Sequence, residues 1–257
     1  MEHELWFTAL LNKLFGGAVN ALLAQLAGIH GLEWLRPTDP GPAHPIPNYL
    51  AMEILVILVI LVAALILRSR LSVENPGKFQ HLMEVMVEFV QSTADEIIGH
   101  DGRRYVPLLG TLFLYVAVCN MIGLIPTLQT PTAAIQATLG LAVAAFLYYN
   151  YHGFRQHGVF GYPKHVWGPT VWPMVLVGIL MFPIEVVGNV GRLLSLSVRL
   201  YANMMVGDLL EQVFGGLVPV VVPVFFAALH IFVSLLQAYI FMLLPAIYLS
   251  LAVSEEH

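Results

Sequence analysis

Charge is the scarcest ingredient of this sequence. Only 11% of its 257 residues are Asp, Glu, Lys or Arg, 58% are hydrophobic and the mean hydropathy is +0.80, whereas a soluble domain carries ~25% charged residues. A water-surrounded globular domain is excluded, and an all-α polytopic membrane protein is expected. The net charge of −5 is too modest to imply a nucleic-acid footprint or a polybasic membrane anchor. A single cysteine, Cys119, excludes an intrachain disulfide, and its apolar neighbours suit a buried, inert thiol. No Gly-x-x-x-x-Gly-Lys-Ser/Thr loop occurs to cradle nucleotide phosphates. His152, His157 and His165 are irregularly spaced, with no accompanying cysteine or carboxylate, so neither metal nor cofactor is expected. No internal repeat is apparent. The first residues lack the basic region and cleavage pattern of a secretory signal, so no removal is expected.

What is present is a series of apolar segments. Residues 5–29 are apolar but broken by Asn12, Lys13, Asn20 and Gln25, which suits a helix lying in the membrane interface. Pro37, Pro40, Pro42, Pro45 and Pro47 then make an extended linker. Residues 1–45 are therefore expected as an N-terminal interfacial or extracytoplasmic segment, and 46–257 as the membrane domain. Residues 49–67 form a first span of about the length a ~30 Å hydrocarbon core needs, with Glu53 its one charge. Residues 76–99 read as an amphipathic surface helix. Phe79, Leu82, Met83, Met86, Phe89, Val90 and Ile97 share one face, and His81, Glu84, Glu88, Gln91 and Asp95 the other, either solvated or docking a partner. Residues 105–126 and 132–151 are charge-free spans joined as a hairpin, their amides Asn120, Gln129, Gln136 and Asn150 read as helix-packing groups.

Positive charge orients the chain. If the spans alternate, Arg68, Arg70, Lys78, Arg103, Arg104, Arg155 and Lys164 fall on one side and only Lys13 and Arg36 on the other. Positive-inside bias then puts the N-terminus outside and the C-terminus in the cytoplasm. The last two apolar runs, 171–214 and 218–253, would make helices of ~65 and ~55 Å. Neither crosses a ~30 Å core upright. Each is two spans or one steeply inclined helix, with Pro173, Pro183, Pro219, Pro223 and Pro245 as candidate bend points.

The first of these runs carries ionisable groups that a bilayer disfavours by ~2.5 to ~17 kcal/mol for an arginine at mid-depth. At about 100° per residue, Glu185, Arg192, Ser195 and Asn203 lie within about 40° of Arg199, whereas Asp208 lies about 180° away. One polar stripe approaches Arg199 from one end, and a carboxylate sits beyond it on the opposite face. On the last run His230, Ser234 and Gln237 share a face by i, i+4, i+7 spacing. Counting from a turn at Gly215-Gly216 pairs Asp208 with His230 at shallow depth and Arg199 with Gln237 at greater depth.

The string Leu-Ser-Leu-Ser-Val-Arg199-Leu-Tyr-Ala-Asn203-Met-Met-Val-Gly-Asp208-Leu resembles subunit a of the F-type ATP synthase. So do Leu-His230-Ile-Phe-Val-Ser234-Leu-Leu-Gln237-Ala-Tyr-Ile-Phe, the ending Tyr-Leu-Ser-Leu-Ala-Val-Ser-Glu-Glu-His257, and Asn120-Met-Ile-Gly-Leu-Ile-Pro126. The resemblance runs from about residue 46 onward. It implies a steeply tilted C-terminal helix hairpin against a rotating c-subunit ring, peripheral-stalk b subunits as further partners, and ATP chemistry on another subunit. It also implies a multi-pass location in the bacterial cytoplasmic (inner) membrane.

In that reading the translocated ion is a proton. Asp208, His230 and Ser234 line one aqueous half-channel and Glu185 marks the other, offset across Arg199. A histidine and a carboxylate can exchange protons near neutral pH, whereas a guanidinium cannot relay one and acts as fixed charge. Arg192 either snorkels or pairs with Glu185; Asn203 and Gln237 either pack helices or line the path. Where many relatives carry Thr-Ala-Asp-x-Asn-x-Thr, this chain has Thr132-Ala133-Ala134-Ile135-Gln136-Ala137-Thr138, and Asp208 stands where Glu is common. Sodium coupling is the nearest rival reading. A secondary transporter would call for paired inverted repeats, and an assembly protein would leave Arg199, Asp208 and His230 without a task.

Overall fold

A computed structural model describes residues 5–27, 45–99, 102–125, 127–157, 175–215 and 221–253. Every regular element among them is helical: α1 (Trp6–Ala27), α2 (Asn48–Ser69), α3 (Lys78–Ile98), α4 (Val106–Ile122), α5 (Ile135–His157), α6 (Val175–Gly215) and α7 (Val221–Val253). Two 3-10 turns, Gly102–Arg104 and Pro131–Ala133, introduce α4 and α5. The all-α polytopic expectation holds. In hydrocarbon each backbone amide must find a partner inside its own segment, and a helix supplies one.

Local sequence sets the boundaries. Pro47, in extended conformation, stops the backbone from being helical before α2. Gly99 ends α3 at φ 85°, the left-handed region that glycine enters freely, and its N–H donates to Asp95 O at 3.1 Å. Pro107 occupies the first turn of α4, where its missing N–H costs nothing.

The two long runs are each one helix, not two spans. α6 has 41 residues and α7 has 33, with Pro183 and Pro245 inside them. Pro223 falls in the first turn of α7, and Pro173 and Pro219 lie outside the described residues. At ~1.5 Å per residue the helices measure ~60 and ~50 Å, so they fit a ~30 Å core only when inclined. They pack antiparallel. Phe214 stacks on Phe226 at 5.7 Å, and Asn203 Nδ2 donates to Gln237 Oε1 at 2.8 Å.

α4 is the central post. Val90 and Ala94 of α3 meet Leu109 of α4 and Met242, Ala246 and Leu249 of α7 in one buried cluster. Leu112 and Val116 of α4, Ala142 and Ala145 of α5, Leu196, Leu200 and Met204 of α6, and Ala238 and Phe241 of α7 make a second. The alanines let backbones approach closely, the main source of helix association where lipid is as apolar as leucine. A third cluster joins Val56 of α2 to Cys119 and Ile122 of α4, so the thiol is buried as expected.

Outward-facing α2 leaves Leu58, Leu61, Leu65 and Ile66 exposed, a surface suited to acyl chains. On α3, Val90 turns inward and Ile97 packs beside it, while Phe79, Leu82 and Phe89 stay open. α1 is tied to the start of α2. Asn12 Nδ2 donates to Ile46 O at 3.3 Å and Asn12 Oδ1 accepts from Ile46 N at 3.0 Å.

Candidate functional site

The α6–α7 contact gathers most of the polar residues in the stripe. Arg199, half-buried, donates from Nη2 to Ser195 Oγ one turn earlier at 3.4 Å, its one hydrogen bond among the described residues. Asn203, one turn on, reaches across to Gln237. Gln237 and Ser234 are fully buried. Gln237 Nε2 and Ser234 Oγ have no partner among the described residues, a condition that costs ~1–3 kcal/mol per group and so favours a polar guest at this seam. Ser197, on the far side of α6, is engaged with Thr138 of α5 at 3.2 Å. That pair packs helices.

Register corrects the expected depth pairing. The Phe214–Phe226 and Asn203–Gln237 contacts set one antiparallel alignment, which places Asn203, not Arg199, level with Gln237. In the same alignment Asp208 lies across from Phe232 instead of His230. Counting from Gly215-Gly216 went wrong because α6 continues through Gly215, and the two cross-helix contacts are level about a point beyond it.

His230 and Asp208 consequently occupy different sides of α6. His230 is buried, and its Nε2 lies 3.0 Å from the backbone carbonyl of Asn120 on α4, so in the tautomer that donates from Nε2 the ring is held in place. It borders a cavity of about 280 Å³ between α6 and α7, shared with Asn203, Gly207, Leu210, Phe226 and Val233. Asp208 opens instead into a cavity of about 640 Å³ bounded by the start of α2, the segment before α5, and α6. Tyr49, Gln129, Thr130, Gln136 and Tyr201 line it. The polar lining of this cavity comes from Asn48, two glutamines, two phenols and a threonine, with Ala134 contributing none. Gln129 and Gln136, expected as packing amides, are exposed to this cavity.

Arg192 lies under a different influence. Its guanidinium sits 5.2 Å from the Tyr248 ring centroid and donates to Asn189 Oδ1 at 3.4 Å; the same oxygen accepts from Tyr149 at 3.2 Å. A cation over an aromatic face is worth ~0.5–2 kcal/mol. Glu185 belongs to α6, but its side chain lies outside the described residues. Asn120 was legible as an amide in an apolar span, and its side chain does accept from Thr132 at 2.6 Å. Its backbone role toward His230 was not, because every residue has a carbonyl. Asn189 and Tyr248 were missed as partners of Arg192; Asn189 at i−3 was the available signal.

Known proteins now bear on this geometry. The ATP synthase A chain family model matches residues 50–250. The chain is 42% identical to ATP synthase subunit a of Koribacter versatilis over 257 residues, all of both chains. It is 42% identical to that of Solibacter usitatus over 248 residues, 96% of this chain and 100% of the relative. A subunit a of Campylobacter fetus is 41% identical over 215 residues, 82% and 92% of the two. The Koribacter likeness includes the first forty-five residues, which carry none of the motifs quoted above. With its family motif, its full-length relatives and, among the described residues, three helices long and apolar enough to cross a membrane, the chain belongs to the ATP synthase subunit a family.

Proposed function

We propose that this chain is the non-catalytic, proton-conducting stator of a rotary ATP synthase, multi-pass in a bacterial cytoplasmic membrane, with its N-terminus outside and its C-terminus inside. Two offset half-channels lead protons to and from carboxylates on a c-subunit ring, and Arg199 separates them. Peripheral-stalk b subunits hold the chain still. The observation that carries the reading is Arg199 itself: a half-buried guanidinium inside a long apolar helix, bonded among the described residues only to Ser195. An intramembrane cation so placed is poised for a charge that arrives from elsewhere.

Asp208 serves the entrance in its wide cavity, His230 follows, and Ser234, Gln237 and Asn203 lead toward Arg199. Glu185 and Arg192 mark the exit on the cytoplasmic side. At ~4 Å and an effective dielectric near ~20, Arg199 attracts an ionised ring carboxylate by ~4 kcal/mol before desolvation. This favours proton loss as each carboxylate passes and blocks direct leakage. A potential of ~100 mV supplies ~2.3 kcal/mol per charge, so solvation must offset part of the attraction for the ring to turn.

The test is proton flux through vesicles containing the reconstituted membrane sector, native against Arg199→Ala and Arg199→Lys, with and without sodium. Uncoupled flux in the variants supports the gate. Coupling unchanged in Arg199→Ala removes Arg199 from the mechanism, and flux that requires sodium replaces the proton with that ion.

A further inference from the structure

At the end of the bundle opposite the Phe214–Phe226 contact, the 3-10 turn Gly102–Arg104 leads from α3 into α4. A Cβ at Gly102 would lie 2.6 Å from the Ala94 carbonyl oxygen, so only glycine fits and the turn is held tightly against α3. The two arginines that follow have different fates. Arg103 is engaged by α3: its Nε lies 3.9 Å from Asp95 Oδ2, and the Gln91 amide, turned to satisfy both its groups, accepts from Arg103 Nε and Nη2 at 3.0 and 3.2 Å. Arg104 is exposed and has no hydrogen bond or ion pair among the described residues.

Beside Arg104, at the end of α5, His152 sits among three phenols. Tyr148 lies 4.5 Å from it, Tyr105 meets it edge-on at 5.1 Å and Tyr151 edge-on at 5.4 Å. Arg155, one turn further, is also exposed and without a partner among the described residues. Burial lowers the His152 pKa, and Arg104 and Arg155 lower it further. The Tyr105–His152 ring contact brings Arg104, the residue before Tyr105, to the end of α5 that carries Arg155. The adjoining surface of α5 is apolar: Leu147, Tyr151 and Phe154 are exposed, and with Arg155 they follow i, i+4, i+7, i+8 spacing.

We propose that Arg104 and Arg155 bind the phosphate of an anionic membrane phospholipid, with Tyr151, Leu147 and Phe154 against its glycerol and upper acyl chains. A guanidinium fork matches phosphate oxygens in a bidentate way that lysine does not. Tyrosines concentrate at the membrane–water boundary, and basic pockets between membrane helices hold headgroups. An acidic protein segment would satisfy the arginines but would gain nothing specific from an apolar strip running down α5 into the bilayer. Neither arginine lies on the ion path described above, so the proposal stands or falls separately from it.

The experiment uses the intact ATP synthase complex, reconstituted in phosphatidylcholine with or without phosphatidylglycerol, and counts retained phospholipid by native mass spectrometry. Arg104→Gln/Arg155→Gln should lower phosphatidylglycerol occupancy about tenfold, equivalent to ~1.4 kcal/mol. Phosphatidylcholine should be unaffected, Arg104→Lys should be intermediate, and passive proton flux should stay native. Added inorganic phosphate should not displace the lipid. Equal phosphatidylglycerol occupancy in native and double-variant complexes overturns the proposal. So does displacement by inorganic phosphate, which would make this a free-anion site. Loss of another subunit with lipid retained also overturns it, because the cations would then serve an acidic protein.

Discussion

Gly207 and Asp208 are neighbours in sequence, yet they look out on two different places. On one side of α6 lies the roomier cavity, where Asp208 is half-buried among glutamines and phenols. On the other lies the smaller, mostly apolar cavity where His230 is buried and fixed to the Asn120 carbonyl. A carboxylate in a wide polar space can meet water and exchange protons with it. A buried imidazole on a single backbone acceptor can pass a proton only along directions its neighbours allow. On the proposed path the helix is a partition between an exchange site at Asp208 and a relay site at His230, and a proton that visits both must go round it.

The comparison breaks most visibly at His230. His230→Ala removes the imidazole and its bond to the Asn120 carbonyl, so on the proposed path proton flux in reconstituted vesicles should fall about 100-fold, equivalent to ~2.7 kcal/mol. A loss confined to threefold would mean that the relay runs elsewhere. Next in size is Asn203→Leu, which orphans the carbonyl of the fully buried Gln237 and should cost about 2 kcal/mol in resistance to denaturant. Asn203→Leu/Gln237→Leu should recover most of that, since replacing both partners by apolar groups of similar shape can be nearly neutral. Losses that merely add would show that the two amides are not coupled.

Asp208→Asn keeps the shape and removes the charge. Flux should fall about tenfold, ~1.4 kcal/mol, with stability unchanged, because the surrounding glutamines and phenols can still bond an amide. If it equals or exceeds the His230→Ala loss, the carboxylate is the narrow step, and the exchange-and-relay distinction is wrong.

Sequence carried the architecture further than the site. Membrane class, the surface position of α3 and the polar stripe around Arg199 follow from composition and the 3.6-residue period, because apolar burial and helical geometry are local properties. Whether 175–215 was one helix or two was beyond periodicity. Pro183 sits inside α6 without ending it, since in hydrocarbon a broken helix leaves more unsatisfied groups than a proline does. The pairing across the hairpin failed for a related reason: Gly215-Gly216 reads as a turn, but α6 includes Gly215. Arg192 meeting Tyr248, and His230 meeting Asn120, join residues far apart in the chain by tertiary packing that no local spacing announces.

The finest test of the partition is at Gly207, where the helix has no side chain and the His230 ring comes near. A Cβ there would lie 3.6 Å from His230 Nδ1, an ordinary contact. Alanine should fit. It should also strengthen the helix by a fraction of the ~0.8–1 kcal/mol by which alanine exceeds glycine in a helix interior, while flux changes less than about twofold (~0.4 kcal/mol). Valine adds two methyl groups to the same spot, in a cavity of about 280 Å³ whose mouth His230 shares. It should press the ring from its Asn120 acceptor and reduce flux by about threefold (~0.65 kcal/mol), with Asp208 untouched on the far face. An alanine variant as impaired as the valine variant would show that proton passage depends on glycine's backbone freedom. A valine variant with native flux would mean that the His230 cavity is not on the path at all.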